Sequence, residues 1–199
     1  MTRLMLDAVN YKNMAGVSAD LYAGYVNGSV SQWPSEGWDA FPAQKLVSID
    51  VLGTDYTADV LDVEQGNPTD SPGFPRTIQW VKNHKGSYLP ILYANRSTLT
   101  PMFNALYAVG LKVETHFKLG IATLDGTKTV PDMTGVTYVQ YTDHNELYDE
   151  SVVYDDAWKA PAKVVVAPPK PPVVSVRGVL VTGLDSKVVA SVDGGVTWR

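Results

Sequence analysis

The chain has 199 residues, 45% of them hydrophobic and 19% charged, with a formal net charge of −5. That length allows one sizeable core with an appendage, and an acidic chain without a long basic run argues against a nucleic-acid partner gripped through its phosphates. With no cysteine there are no disulfides, thiolate metal sites or cysteine nucleophile, and the scattered His84, His116 and His144 have no metal-ligand spacing, so neither metal nor cofactor is expected.

Residues 4–9 read as a short apolar strand carrying Asp7, followed by the polar loop Asn10, Tyr11, Lys12 and Asn13. Residues 21–26 are a second strand, closed by Asn27 and Gly28. Between Trp33 and Trp38 an aromatic loop leads into a short helical piece; its tryptophans suit either a sugar face or the closing of a barrel end. Residues 45–52 are a third strand, carrying Asp50.

The next strand, residues 58–64, ends in Asp62 and Glu64 and is stopped by Gly66, Asn67 and Pro68. Side chains alternate along a strand, so the two acids share one face while Leu61 and Val63 take the other. Carboxylates at the end of a buried strand are costly unless paired, hydrated or used. They are therefore either site acids or strand-end acids that cap a loop.

Ser71 and Pro72 open a predicted helix with Ile78, Trp80 and Val81 as its apolar stripe, ended by Lys85 and Gly86. Residues 90–94 form a strand, and residues 98–109 a helix with Pro101 in its first turn and Gly110 just past its end. Candidate strands follow at 111–113, 117–122 and 138–142, and residues 147–158 read as a closing turn or helix. Alternating strands and helices argue for a parallel α/β sheet or barrel. Eight full β/α units need roughly 200 residues or more, so a barrel here must have lost or shortened several helices.

From Ala160 to Pro172 prolines dominate, which favours an extended linker. The expected division is a main domain at 1–158, a linker at 159–173 and a small β tail at 174–199 whose size suggests docking onto something larger. Within the tail, Ser191, Asp193, Gly195, Thr197 and Trp198 match the pattern S-x-D-x-G-x-T-W and so resemble the Asp-box hairpin, a structural device.

The order of motifs over residues 4–158 resembles the family 25 glycoside hydrolases, lysozymes that cleave peptidoglycan, and their lysozyme-like relatives. The resemblance is carried by Leu6-Asp7-Ala8, by Leu61-Asp62-Val63-Glu64, by Pro90-Ile91-Leu92-Tyr93, and by Gln140-Tyr141-Thr142 followed by Asp149. It implies a reduced (β/α) TIM-like barrel with its acids at the C-terminal ends of the strands. Glu64 would be the general acid, Asp62 would stabilise positive charge or orient an acetamido group, and Asp7, Tyr93, Gln140 and Asp149 would contact substrate. Departures from the pattern are Val139, where such lysozymes often carry tryptophan, and a first motif without its usual serine.

Two functions follow from the resemblance. One is a phage-encoded, peptidoglycan-directed glycosidase. The other is a non-catalytic virion component, such as a minor tail or capsid-associated protein, that binds wall glycan or other virion subunits through residues 174–199. The first residues lack the apolar run of a signal peptide and no stretch is apolar over membrane-spanning length. The expected locations are accordingly the cytoplasm for synthesis and the bacterial wall or a virion for action, without a membrane partner. A serine hydrolase is disfavoured because no G-x-S-x-G elbow occurs.

Overall fold

Eight short strands close into a barrel in sequence order: β1 (Arg3–Asp7), β2 (Leu21–Tyr25), β3 (Leu46–Asp50), β4 (Val60–Asp62), β5 (Ile91–Asn95), β6 (Lys118–Ala122), β7 (Val136–Thr142) and β8 (Asp149–Val153). Strands β1 to β7 run parallel, and β8 closes the ring antiparallel to both β7 and β1. The computed structural model describes residues 2–129, 131, 133–142, 147–155 and 157–159, with the backbone of two further strands in the tail. Among the described residues three α-helices accompany the barrel: α1 (Ser35–Asp39), α2 (Pro75–Asn83) and α3 (Arg96–Ala108). The chain is a reduced β/α barrel, as its length requires. No helix among the described residues is long and apolar enough to cross a membrane.

Alternation along the strands divides the core. Met5, Leu21, Ala23, Val47, Ile49, Val60, Ile91, Tyr93, Tyr138 and Val153 pack together inside the ring. The opposite faces of β4 to β6, with Leu61, Val63, Leu92, Leu119 and Ile121, bury themselves under Trp80 of α2 and Leu99, Met102 and Leu106 of α3. On the β1–β2 side Leu6, Met14 and Tyr22 cluster around Trp33. Trp33 is buried, its indole N–H donates to the Ala8 carbonyl at 2.7 Å, and a Cβ at Gly24 would stand 2.5 Å from its ring. This tryptophan closes the barrel's side and offers no face to a sugar.

The floor of the barrel is covered by Trp158 and the described residues around it. Trp158 stacks on Tyr138 at 5.9 Å, and Tyr138 stacks in turn on Tyr93 at 6.0 Å, which makes an aromatic column inside the ring. Gly120 makes room for it, since a Cβ there would lie 2.6 Å from the Tyr138 hydroxyl. Arg3 donates to the carbonyls of Asp155, Trp158 and Lys159, Lys118 pairs with Asp155, and Lys159 pairs with Asp59 at 2.8 Å.

Several boundaries differ from the sequence expectation. Residues 147–158, expected as a closing turn or helix, contain turns but also the strand β8 and no helix among the described residues, because β8 supplies the last hydrogen-bonded edge that the ring needs. Residues 111–113 form no strand, and Val113 makes only an isolated bridge to Phe117. α2 starts at Pro75 rather than Ser71, after Phe74 at φ 52°, and α3 starts at Arg96 because Asn95 Oδ1 accepts the Thr98 N–H at 3.1 Å. Pro101 therefore falls in the second turn of α3.

By compactness the chain divides into Met1–Lys163 and Val164–Arg199. In the second unit β9 (Val188–Ala190) pairs antiparallel with β10 (Val196–Trp198). The proline-rich stretch at 160–172 and the Asp-box turn at 191–195 lie outside the described residues.

Candidate functional site

Parallel strands deliver their C-terminal ends to one mouth of the barrel. Asp7 ends β1, Asp62 ends β4 with Glu64 two residues beyond, and Asp149 begins the antiparallel β8, which brings it to the same end as the register partner of Asp7. Of the residues expected from the sequence, Asp7, Asp62, Glu64, Asp149, Tyr93 and Gln140 all converge here. Asp7 feels the charges of Asp149, Asp62 and Glu64, and Tyr93 those of Glu64, Asp7 and Asp62.

The turn after β4 fixes the central pair. Asn67 N–H donates to the Glu64 carbonyl at 3.0 Å across Gly66, whose φ of 96° calls for glycine. The buried Thr69 hydroxyl donates to the Asp62 carbonyl at 2.6 Å, and Thr77 of α2 holds the Thr69 carbonyl at 2.8 Å. The loop is thus pinned over the strand end, and the Asn67 side chain is brought to the Asp62 carboxyl.

Burial sets the electrostatics. Asp62 is pushed up to about 8, first by burial and then by the charge of Glu64, with the Asn67 side chain pulling the other way. Its Oδ1 is buried without a hydrogen-bond partner. Glu64, half-buried, is also raised by burial and is pulled back by its hydrogen bond with Tyr93. Asp7 is pushed well above the carboxylate range by burial and by Asp149, although the Tyr25 hydroxyl donates to its Oδ1 at 3.2 Å. Gln140 is buried, and its Oε1 accepts the Tyr93 hydroxyl.

Open space adjoins these acids. A cavity of about 330 Å³ is lined by Asp7, Tyr25, Leu147 and Asp149, and one of about 390 Å³ by Tyr25, Val30, Asp62 and Asn67. Val9 and Tyr25 line both, so the two adjoin across the Tyr25 ring. A third, of about 620 Å³, shares Val9 and Val30 with the second and extends past Tyr11 and Lys12 to Pro34 and Glu36. The result is an elongated groove with exposed apolar lips at Val9 and Val30. Another cavity, of about 440 Å³ beside Tyr22 and Phe41, has no carboxylate in its lining.

Asp50 shows what a structural strand-end acid looks like in the same barrel. It is fully buried, and its carboxylate accepts from Asn27 Nδ2, from the backbone N–H groups of Leu52, Gly53, Thr54 and Asp55 at 2.7–2.8 Å, and from the Trp80 indole at 3.0 Å. Asp62 has no such shell.

Sequence reasoning missed Tyr25, Asn67 and Tyr138. The period of two from Leu21 through Ala23 places Tyr25 on the inward face at the mouth, a signal available from the sequence once β2 is placed. Nothing local marks Tyr138 or Asn67 as neighbours of the acids. Among the described residues no group of three or more His, Cys, Asp or Glu side chains is arranged to hold a metal ion.

No protein-family model matches the sequence, and no curated protein matches it. Among solved structures the chain is similar to a family 25 glycosyl hydrolase from Bacillus anthracis, at 13% identity over 78% of this chain and 91% of that one, with a TM-score of 0.48.

Proposed function

We propose that this chain is a muramidase-like glycosidase directed at peptidoglycan and encoded by a phage. The observation that carries the proposal is the convergence of Asp62, Glu64, Asp7 and Asp149 at the C-terminal mouth, beside a groove that Asp7, Asp62 and Asp149 line. Glycoside cleavage needs one carboxyl that holds a proton and another that carries charge as the sugar ring becomes cationic. Glu64, half-buried and raised by burial, is the proton donor to the glycosidic oxygen. Asp62 faces the developing positive charge or the acetamido group. A cation forming beside Asp62 favours its ionised form, so the free protein's tendency to keep Asp62 protonated is offset as the reaction proceeds. Asp7, Tyr93, Gln140 and Asp149 line or brace the site for the sugar. The exposed Val9 and Val30 suit the apolar faces of a glycan chain.

Purified cell walls provide the test. Loss of turbidity or release of muropeptides by the wild-type protein, abolished in Glu64→Gln, is the expected result; equal behaviour of the two proteins would refute catalysis by Glu64.

A second reading is favoured by the push on Asp62 to about 8, which leaves that carboxyl mostly protonated at neutral pH in the free protein. In this reading the barrel is a virion component that binds wall glycan, or serves assembly through residues 174–199, without cleaving anything. Co-sedimentation with walls by wild type and Glu64→Gln alike, with no muropeptide released, would select it.

A further inference from the structure

We propose that the arm of the groove between Lys12 and Glu36 binds the peptide stem of peptidoglycan, with a stem carboxylate at Lys12 and the free amine of the stem's diamino acid at Glu36. This deepens the muramidase reading and rests on it.

The walls of that arm are fixed. Lys12 belongs to a 3-10 helical turn, Tyr11–Met14, in which Asn10 Oδ1 accepts the Lys12 N–H at 3.2 Å and Met14 is fully buried. Glu36 belongs to α1, which is backed onto the same turn: a Cβ at Gly37 would stand 2.9 Å from the Tyr11 ring. That ring lies 6.0 Å from the buried ring of Trp33. Lys12 and Glu36 therefore face one cavity, of about 620 Å³, from two braced segments.

Their charges are not used by the protein. The Lys12 ammonium lies 5.9 Å from the centroid of the Tyr11 ring. Among the described residues no ion pair joins it to Glu36 or to another carboxylate, and none joins Glu36 to a cation. Asp7, Asp62 and Asp149 line the rest of the groove, and Lys12 is the one cation among the described residues that line its three cavities. An anionic group that enters the groove is thus drawn to Lys12 and repelled from the acids.

A chain of N-acetylated sugars is neutral and has no use for two opposite charges. Peptidoglycan differs from such a chain in carrying, on the lactyl group of its muramoyl sugars, a peptide with carboxylates and a diamino acid. A muramidase cuts beside the muramoyl sugar, so the stem starts next to the acids. The Lys12 arm adjoins the Asp62 cavity through Val9 and Val30, which places it where that stem leaves the sugar.

Titration of the full-length Glu64→Gln protein with soluble glycan strands tests this, because binding is read without cleavage. Strands that keep their peptides should bind more tightly than strands stripped by an amidase, and high salt should narrow the preference. Lys12→Gln and Glu36→Gln, both at exposed positions, should each weaken binding of the peptide-bearing strands about three- to fivefold, the size of a partly screened ion pair. On stripped strands Glu36→Gln should change nothing, while Lys12→Gln keeps part of its effect because stripping leaves a lactyl carboxylate. Equal affinity for the two kinds of strand overturns the proposal, as does an unaltered affinity for peptide-bearing strands in either variant. If neither strand binds, the glycan-directed reading falls with it; if stripped strands bind as well as whole ones, this inference falls alone.

Discussion

Asp7 and Asp149 stand directly opposite each other on the antiparallel pair β1 and β8, at the open end of the barrel. Like charges in register oppose pairing, and the arrangement persists because Asp7 is raised well above the carboxylate range by burial and by Asp149. Asp149→Asn removes one of the two charges while keeping the shape. The Asp7 titration midpoint is expected to fall, as read by carboxyl NMR; an unmoved midpoint would show that the charge of Asp149 does not reach Asp7.

The pH dependence of stability follows from Asp62. Its midpoint is about 8 in the fold against 3.8 as the ordinary value, so below about pH 4 it is protonated in both the folded and unfolded states. As the pH rises from there through 8, the unfolded chain gives up the proton first and stability is lost. Asp62→Asn should therefore be more stable than wild type by about 5 kcal/mol at pH 8 and nearly indistinguishable from it near pH 4. Urea unfolding at the two pH values decides this. A pH-independent difference would mean that Asp62 is not raised in the fold.

Removing Asp50 should destabilise the fold. Asp50→Ala strips a shared acceptor from four backbone N–H groups, from Asn27 and from the Trp80 indole, which itself also reaches the Asp55 carbonyl at 2.8 Å. Each buried donor left without a partner costs about 1–3 kcal/mol, so a loss of about 4 kcal/mol or more in urea unfolding is expected. A loss below about 1 kcal/mol would show that the loop finds other acceptors.

Trp158 and Asp155 lie against the barrel floor, so the end point of a truncated chain should matter. A fragment of residues 1–159 keeps Trp158 beneath Tyr138 and the carbonyls that hold Arg3, and it should unfold as cooperatively as the whole chain. A fragment of residues 1–153 exposes the barrel floor and leaves Lys118 without Asp155. It should lose about 3–5 kcal/mol, as when a buried tryptophan is removed. Thermal melts of the two fragments make the comparison. If the 1–159 fragment melts without cooperativity, the tail is part of the barrel's core.

Much of the barrel was legible in the sequence because strand periodicity and turn residues are local signals. The run from Val60 to Asp62, the stops at Gly66 and Pro68, the strand end at Asp7 and the strand that carries Tyr93 are each read from a few neighbours. The chain's length, too short for eight complete β/α units, also foretold the missing helices. What a single strand cannot show is its partner. β8 has the composition of a loop, with Asp149 and Glu150 at its start, and becomes a strand only because the ring between β7 and β1 must be closed by hydrogen bonds.

The same limit governs the site. Sequence spacing put Asp62 and Glu64 on one face, but it could not tell Asp50, wrapped in donors, from Asp62, whose Oδ1 has none. Both are acids at the end of an apolar strand. The difference lies in what the folded loops bring to them: the 52–55 backbone and Trp80 to one, and the turn through Asn67 beside a second carboxylate to the other. Sequence by itself determined that Asp7, Asp62 and Glu64 stand at the ends of apolar strands, because alternation and strand ends are local properties. Their ionisation was decided by tertiary structure, because burial and the placing of donors depend on segments far apart in the chain.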